Sequence, residues 1–221
     1  MRGEVVVFLG PNGAGKTTTL RMLAGLLAPT RGKVSLLGRP AGALPYAERS
    51  RLGYLPESPQ LYDALSAAEF LDFMADLHGL DPARGQRRKQ EMLQLFGLAD
   101  ERDGRIRELS LGTRKRVALA GVFLHEPEMV LLDEPTAGLD PRAAAQLKQF
   151  LVDRARAGEM TVFLSTHMLE MAERLCDRVL ILHRGKLVAD GTLETLRARA
   201  SSAAGTLEEV FLSLTGLEAG S

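Results

Sequence analysis

Gly10, Gly15, Lys16 and Thr17 stand at the spacing G-x-x-x-x-G-K-[ST] inside VVVFLGPNGAGKTTTL. A glycine-rich turn between a strand and a helix aims several backbone N–H groups into one concavity, and the helix N-terminus adds its dipole. Phosphate fits such a concavity: a lysine ammonium can bridge neighbouring phosphate groups, and a threonine hydroxyl can ligate Mg²⁺. Gly10, Asn12, Gly13, Ala14, Gly15, Lys16, Thr17 and Thr18 are therefore the candidate nucleotide contacts. Farther on, MVLLDE ends an apolar run on two acids. Beside a phosphate loop, Asp133 is the expected second holder of Mg²⁺ after Thr17, and Glu134 the expected base for an attacking water.

These residues need a frame. Continuous apolar, β-branched runs predict buried strands at 5–9, 129–133, 161–165 and 178–183, with shorter ones at 33–38 and 52–56. Helices are expected from 16 to about 27, across EFLDFMADL behind the Ser66/Glu69 capping box, over 82–96, and from Ser110 to about 125. Another runs from the Asp140–Pro141 pair to Gly158. Strands alternating with helices predict an α/β domain on a parallel sheet. The stretch 61–108 carries helices without a strand and reads as a helical insert in a single domain spanning 1–221. ARGQRRKQ (83–90) reads as a solvated helix face, and RASSAAG (199–205) as a short linker.

Composition narrows the class further. Lys plus Arg and Asp plus Glu are equal at 28 each, so no global field favours nucleic acid, and none is expected as a partner. A hydrophobic fraction of 45% supports a sizeable core, and a single cysteine excludes a disulfide framework. The apolar runs are too short to span a bilayer, so a cytoplasmic protein is expected. His78, His125, His183 and Cys176 show no metal-ligand spacing.

GPNGAGKTT, LSLGTRKR, LLDEPTAGLD and STH follow one another in an order that resembles the ATPase subunits of ABC transporters over nearly the whole chain. The resemblance implies a P-loop NTPase fold: a RecA-like parallel sheet flanked by helices, with a helical insert subdomain. It also implies ATP and Mg²⁺ as ligands. Ser110 and Gly112 would meet the γ-phosphate of ATP held on a second copy or a related ATPase subunit. Asp140 would communicate across that dimer, and His167 would contact the γ-phosphate beside the catalytic Glu134 and Lys16. Read without the resemblance, Ser110 and Asp140 are plain helix N-caps and His167 a surface residue.

Three departures stand out. Leu111 and Thr113 replace residues of the usual LSGGQ signature, and Glu57 stands where a metal-proximal glutamine is expected. Glutamate keeps an oxygen for the metal and loses an amide donor. Only nine residues precede Gly10, where the family carries an antiparallel β segment with an adenine-stacking aromatic; either the true start lies upstream of Met1 or that N-terminal antiparallel β subdomain is largely missing. Leu61, Tyr62 and Leu65 are candidates to meet an integral-membrane permease, and GTLEEVFLSLTG (205–216) resembles tails of the drug-exporting branch. The expected function is the ATP-hydrolysing subunit of an exporter, working through ATP-driven dimerisation on the inner face of the cell membrane. The alternative is a non-transport ABC-type ATPase or a truncated regulatory nucleotide-binding module.

Overall fold

The computed structural model describes residues 3–199 and 206–215. A six-stranded sheet has the order β4 (Leu52–Leu55), β5 (Met129–Asp133), β6 (Thr161–Thr166), β1 (Val5–Leu9), β7 (Arg178–His183) and β8 (Lys186–Gly191). All neighbours run parallel except β7 and β8, which form an antiparallel hairpin. β1 lies between β6 and β7 and is buried along nearly its whole length, which explains its unbroken VVVFL sequence.

Around the sheet stand α1 (Lys16–Leu23), α2 (Tyr46–Arg49), α3 (Ala67–Leu77), α4 (Pro82–Leu95), α5 (Leu111–Leu124), α6 (Pro141–Arg156), α7 (Leu169–Leu175), α8 (Leu193–Arg199) and α9 (Leu207–Thr215). Ser66 and Glu69 form the reciprocal capping box on α3, and Asp140 caps α6 ahead of Pro141. α3, α4 and α5 pack on one another. From Val117 to Leu124 α5 is buried all round, so it is a shared wall between the insert and the sheet. Phe70, Leu71 and Met92 of the insert accordingly belong to the same apolar cluster as Val5, Leu132 and Leu164 of the sheet.

The structure corrects several expectations. α1 ends at Leu23, not near 27: Gly25 takes φ 72°, and the N–H groups of Gly25 and Leu26 bond back to Met22 and Arg21 oxygens in a Schellman cap. The stretch 33–38 is not one strand. Leu37 and Gly38 both take positive φ and join β2 (Ser35–Leu36) to β3 (Arg39–Pro40) as a tight antiparallel hairpin. Nor is 83–90 wholly solvated: Arg88 is buried, donating to the Phe123 and Leu124 carbonyls while pairing with Glu91, and Lys89 is buried against Asp72. The linker assigned to 199–205 lies, apart from the backbone of Arg199, outside the described residues.

One contact between insert and sheet carries a pH prediction. His78 and His125 cap the C-termini of α3 and α5, and their rings stack with centroids 3.7 Å apart and planes 5° from parallel. A ring nitrogen of His125 lies 3.2 Å from the Leu52 carbonyl. Burial, with His78 as a second cause, pushes His125 down to about 4, and burial also lowers His78. An unfolded histidine titrates near ~6.5, so the unfolded chain binds more protons between that value and the folded one. The stabilising share is therefore complete above ~6.5 and shrinks as pH falls toward the folded value. Denaturation at pH 7 and pH 5 should show a loss of about 2 kcal/mol attributable to His125. His125→Phe should be less stable at pH 7 yet flatter over that range; an equal slope in the variant would remove His125 as the cause.

Candidate functional site

β1 delivers the chain to its carboxyl end at Leu9, and the loop that follows closes at Gly15, φ 101°, where α1 begins. A Cβ on Gly10 would sit 2.4 Å from the Leu182 carbonyl oxygen, so glycine is required there for contact with β7. Gly13, at φ 79°, faces open space, which leaves its backbone accessible from the cleft side. Ala14 is buried with Phe8 and Leu182 and anchors the loop inward. Phe8 is buried and packs edge-on against Phe163 at 5.7 Å.

Lys16 is buried, and its ammonium donates to the carbonyls of Gly10 (2.7 Å) and Pro11 (3.2 Å). It also lies 3.9 Å from Glu134 Oε1. The parallel register β5–β6 sets Asp133 opposite Ser165, whose hydroxyl donates to Asp133 Oδ1 at 2.5 Å. Asp133 is fully buried, and among the described residues its Oδ2 has no hydrogen-bond partner. A bare, buried carboxylate oxygen is costly unless a cation or an ordered water meets it. Glu134 takes φ 45°, a left-handed conformation uncommon outside glycine, held by its N–H to the Ser165 carbonyl and hydroxyl, both at 3.2 Å. The turn aims its carboxylate at His167, whose Nδ1 is 2.8 Å from Glu134 Oε1. His167 remains half exposed.

Lys16, Thr17 and Thr18 with Glu57, Asp133 and Glu134 line one open cleft at the carboxyl ends of the parallel strands, where ligands of open α/β sheets bind. Asn12, Gly13 and Gly15 form its loop side. The donor set fits a Mg²⁺–triphosphate: oxygen ligands only, a glycine loop of left-handed residues, and a bare carboxylate oxygen. The structure does not bring Ser110, Gly112 or Asp140 into this cleft. Ser110 caps α5, accepting from the Thr113 N–H at 3.1 Å. Gly112 packs on the Gly138 carbonyl, which a Cβ would approach to 2.9 Å. Asp140 accepts from the Ala143 N–H at 2.9 Å, a bond that holds its carboxyl below the usual range.

Residues 1–137 match the family model described as ABC transporter. The chain belongs to that family. An uncharacterised ABC transporter ATP-binding protein of Nostoc is 40% identical over 197 residues, 88% of this chain and 58% of that protein. The daunorubicin resistance ATP-binding protein DrrA3 of Streptomyces coeruleorubidus is also 40% identical over 197 residues, covering 89% of this chain and 62% of that one. The chain thus spans little more than half the length of these ABC relatives. Among solved structures, an ATP-binding subunit of an ABC transporter superposes with a TM-score of 0.89 at 37% identity, covering 96% of this chain and 88% of the other. A dimeric ATP-binding cassette in a post-hydrolysis state with ADP and Pi gives 0.79 at 26% identity, covering 87% of each. The ABC fold expected from the motifs, a parallel-sheet P-loop core with a helical insert, is the fold observed.

Two residues escaped the reading of the sequence. Ser165 orients both acids, and its signal was available: it stands near the carboxyl end of β6, an apolar strand that pairs parallel with β5. Lys115 is buried on α5, with its ammonium 2.7 Å from the Glu57 carbonyl oxygen. A lysine two residues before the apolar run VALAGVFL was the hint.

Proposed function

We propose that this chain is the ATP-binding and ATP-hydrolysing subunit of an ABC exporter, acting on a separate integral-membrane permease from the cytoplasmic face of the cell membrane. The observation that carries the reading is the meeting of Lys16, the bare oxygen of Asp133 and Glu134 in one cleft behind a glycine loop, with His167 on the Glu134 carboxylate. In this reading the loop amides and Lys16 bind the β- and γ-phosphates. Asp133 and Thr17, with Glu57 nearby, hold Mg²⁺, which when bound offsets charge on the phosphate oxygens. Glu134 accepts the proton of the attacking water, and His167 holds the Glu134 carboxylate in position and reaches the γ-phosphate.

Ser110 and Gly112 lie outside the cleft of their own chain, which supports their use on the cleft of a second copy or a related subunit. Leu111 beside them is 82% exposed, an apolar surface that such a partner would cover. Asp140 would sit at the same junction. For the permease, Tyr62, Phe73, Leu77 and Tyr46 form an exposed cluster: Tyr62 and Phe73 meet edge-on at 5.2 Å, and Tyr46 Oη donates to the Leu77 carbonyl at 2.7 Å. Leu61 and Leu65 pack instead on the core, leaving Tyr62 as the one of the three turned outward. No described helix is long and apolar enough to cross a membrane, in keeping with a separate permease. Export is supported by the likeness to a drug-resistance ATP-binding protein and by the Leu207–Thr215 helix near the tail.

Phosphate release from ATP by the purified chain, with and without a chelator, tests the reading. Hydrolysis should require Mg²⁺, and Asp133→Asn should lower it by roughly a hundredfold. The same variant should melt no lower than the parent, because it removes a buried, half-partnered charge. Hydrolysis that survives both chelation and Asp133→Asn would refute the metal site.

A further inference from the structure

We infer that Lys115 is a positioning residue for the reaction: its buried ammonium fixes the Glu57 loop against the metal-side carboxylates, and so ties the start of α5 to the cleft. The inference rests on the function proposed above and names a residue that reading leaves without a role. Lys115 is 5% exposed, and its Nζ donates to the Glu57 carbonyl at 2.7 Å. Among the described residues no other hydrogen bond reaches the backbone of 56–61, the first part of the 56–66 connection from β4 to α3. The Glu57 side chain lines the cleft while its carbonyl is held from behind. Without that bond 56–61 is held only at its two ends, by β4 and by the hydrogen bonds at Asp63–Leu65.

Three carboxylates of the cleft lie within electrostatic reach of Lys115. Burial lowers its affinity for a proton, while Asp133 first, then Glu57 and Glu134, act in the opposite sense. All three are cleft residues. An ammonium in the wall between insert and sheet is costly to desolvate, and one carbonyl offsets that cost only in part. A methionine of similar length would suit the wall better, so stability gives no reason for lysine here. The preceding residue, Arg114, reaches the Asp63 carboxylate at 2.7 Å, so two successive side chains of α5 hold the connection from β4 to α3. α5 also carries Ser110 at its N-cap, placed by our reading on the phosphate of a second copy. A displacement of α5 would therefore be transmitted to Glu57 through one buried bond.

The test compares Lys115→Met, which keeps length without charge or donors, with Lys115→Arg, which keeps both. The first readout needs no nucleotide: cleavage after Glu57 by a glutamate-specific protease, followed by mass. Lys115→Met should be cut there at least fivefold faster than the parent, and Lys115→Arg within twofold of it. In turnover, Lys115→Met should lose about tenfold in kcat with KM for ATP within twofold, while its melting temperature stays at or above the parent's. Unchanged cleavage, or an unchanged kcat, would overturn the inference. So would a melting temperature far below the parent's, since Lys115 would then serve the fold. If Lys115→Met yields no folded protein, Lys115→Gln, which keeps a donor but loses charge and reach, carries the same comparison. A parent chain that hydrolyses no ATP would sink the proposed function while the cleavage result still decided whether the loop is held as described.

Discussion

Glu134→Gln is expected to lower ATP turnover at least a hundredfold while leaving ATP affinity within a fewfold of the parent. A positioned base contributes roughly 10²–10⁴ to a rate, and a hundredfold corresponds to about 2.7 kcal/mol of barrier. Glutamine is nearly the same size and keeps an oxygen within reach of His167, so the left-handed turn at φ 45° and its N–H bonds to Ser165 should survive. The amide cannot accept the proton of the attacking water. Binding is spared because the phosphates rest on Lys16 and the loop amides. Phosphate release under saturating Mg²⁺–ATP, beside equilibrium binding of a fluorescent ATP analogue, separates the two quantities. Turnover at the parent's rate would reassign the base.

Lys16→Met should show the opposite division, losing nucleotide binding first. The ammonium stands between the Gly10 and Pro11 carbonyls and Glu134, where phosphate oxygens would replace carbonyl partners. Charge-assisted hydrogen bonds of this kind are worth roughly 1.5–3 kcal/mol each, so affinity should fall about a hundredfold or more. The fold should tolerate the change: methionine matches the buried stem, and the freed carbonyls belong to a loop that opens on the cleft. Titration calorimetry with ATP gives the affinity and thermal melting the control. Binding at the parent's affinity would mean that the glycine loop holds phosphate without its lysine.

The parts legible in the sequence were those with local causes. Val5–Leu9, Met129–Asp133 and Arg178–His183 showed as strands because burial on both sheet faces leaves an uninterrupted apolar run. The caps at Ser66, Ser110 and Asp140 are short-range signals and formed at those residues. Gly25 ended α1 early because a left-handed residue permits a cap that helical propensity does not foresee. What stayed hidden depended on distant partners. Arg88 looked solvated until α5 supplied the carbonyls of Phe123 and Leu124. Ser165 needed its register opposite Asp133, and Lys115 needed the Glu57 loop folded onto α5. The phosphate loop, Asp133 and Glu134 line one cleft, and His167 reaches it through the Glu134 carboxylate, a meeting that depends on strand register rather than on any local signal around His167. Ser110, Gly112 and Asp140 do not join them within one chain.

That separation defines the decisive measurement, the mass of purified Glu134→Gln by light scattering with and without Mg²⁺–ATP. A site completed by the Ser110–Gly112 turn of another copy predicts a shift from one chain to two when ATP binds, reversed when nucleotide is removed. A single-chain mass at saturating, demonstrably bound ATP would contradict it and leave the cleft to act without the signature turn of a second copy.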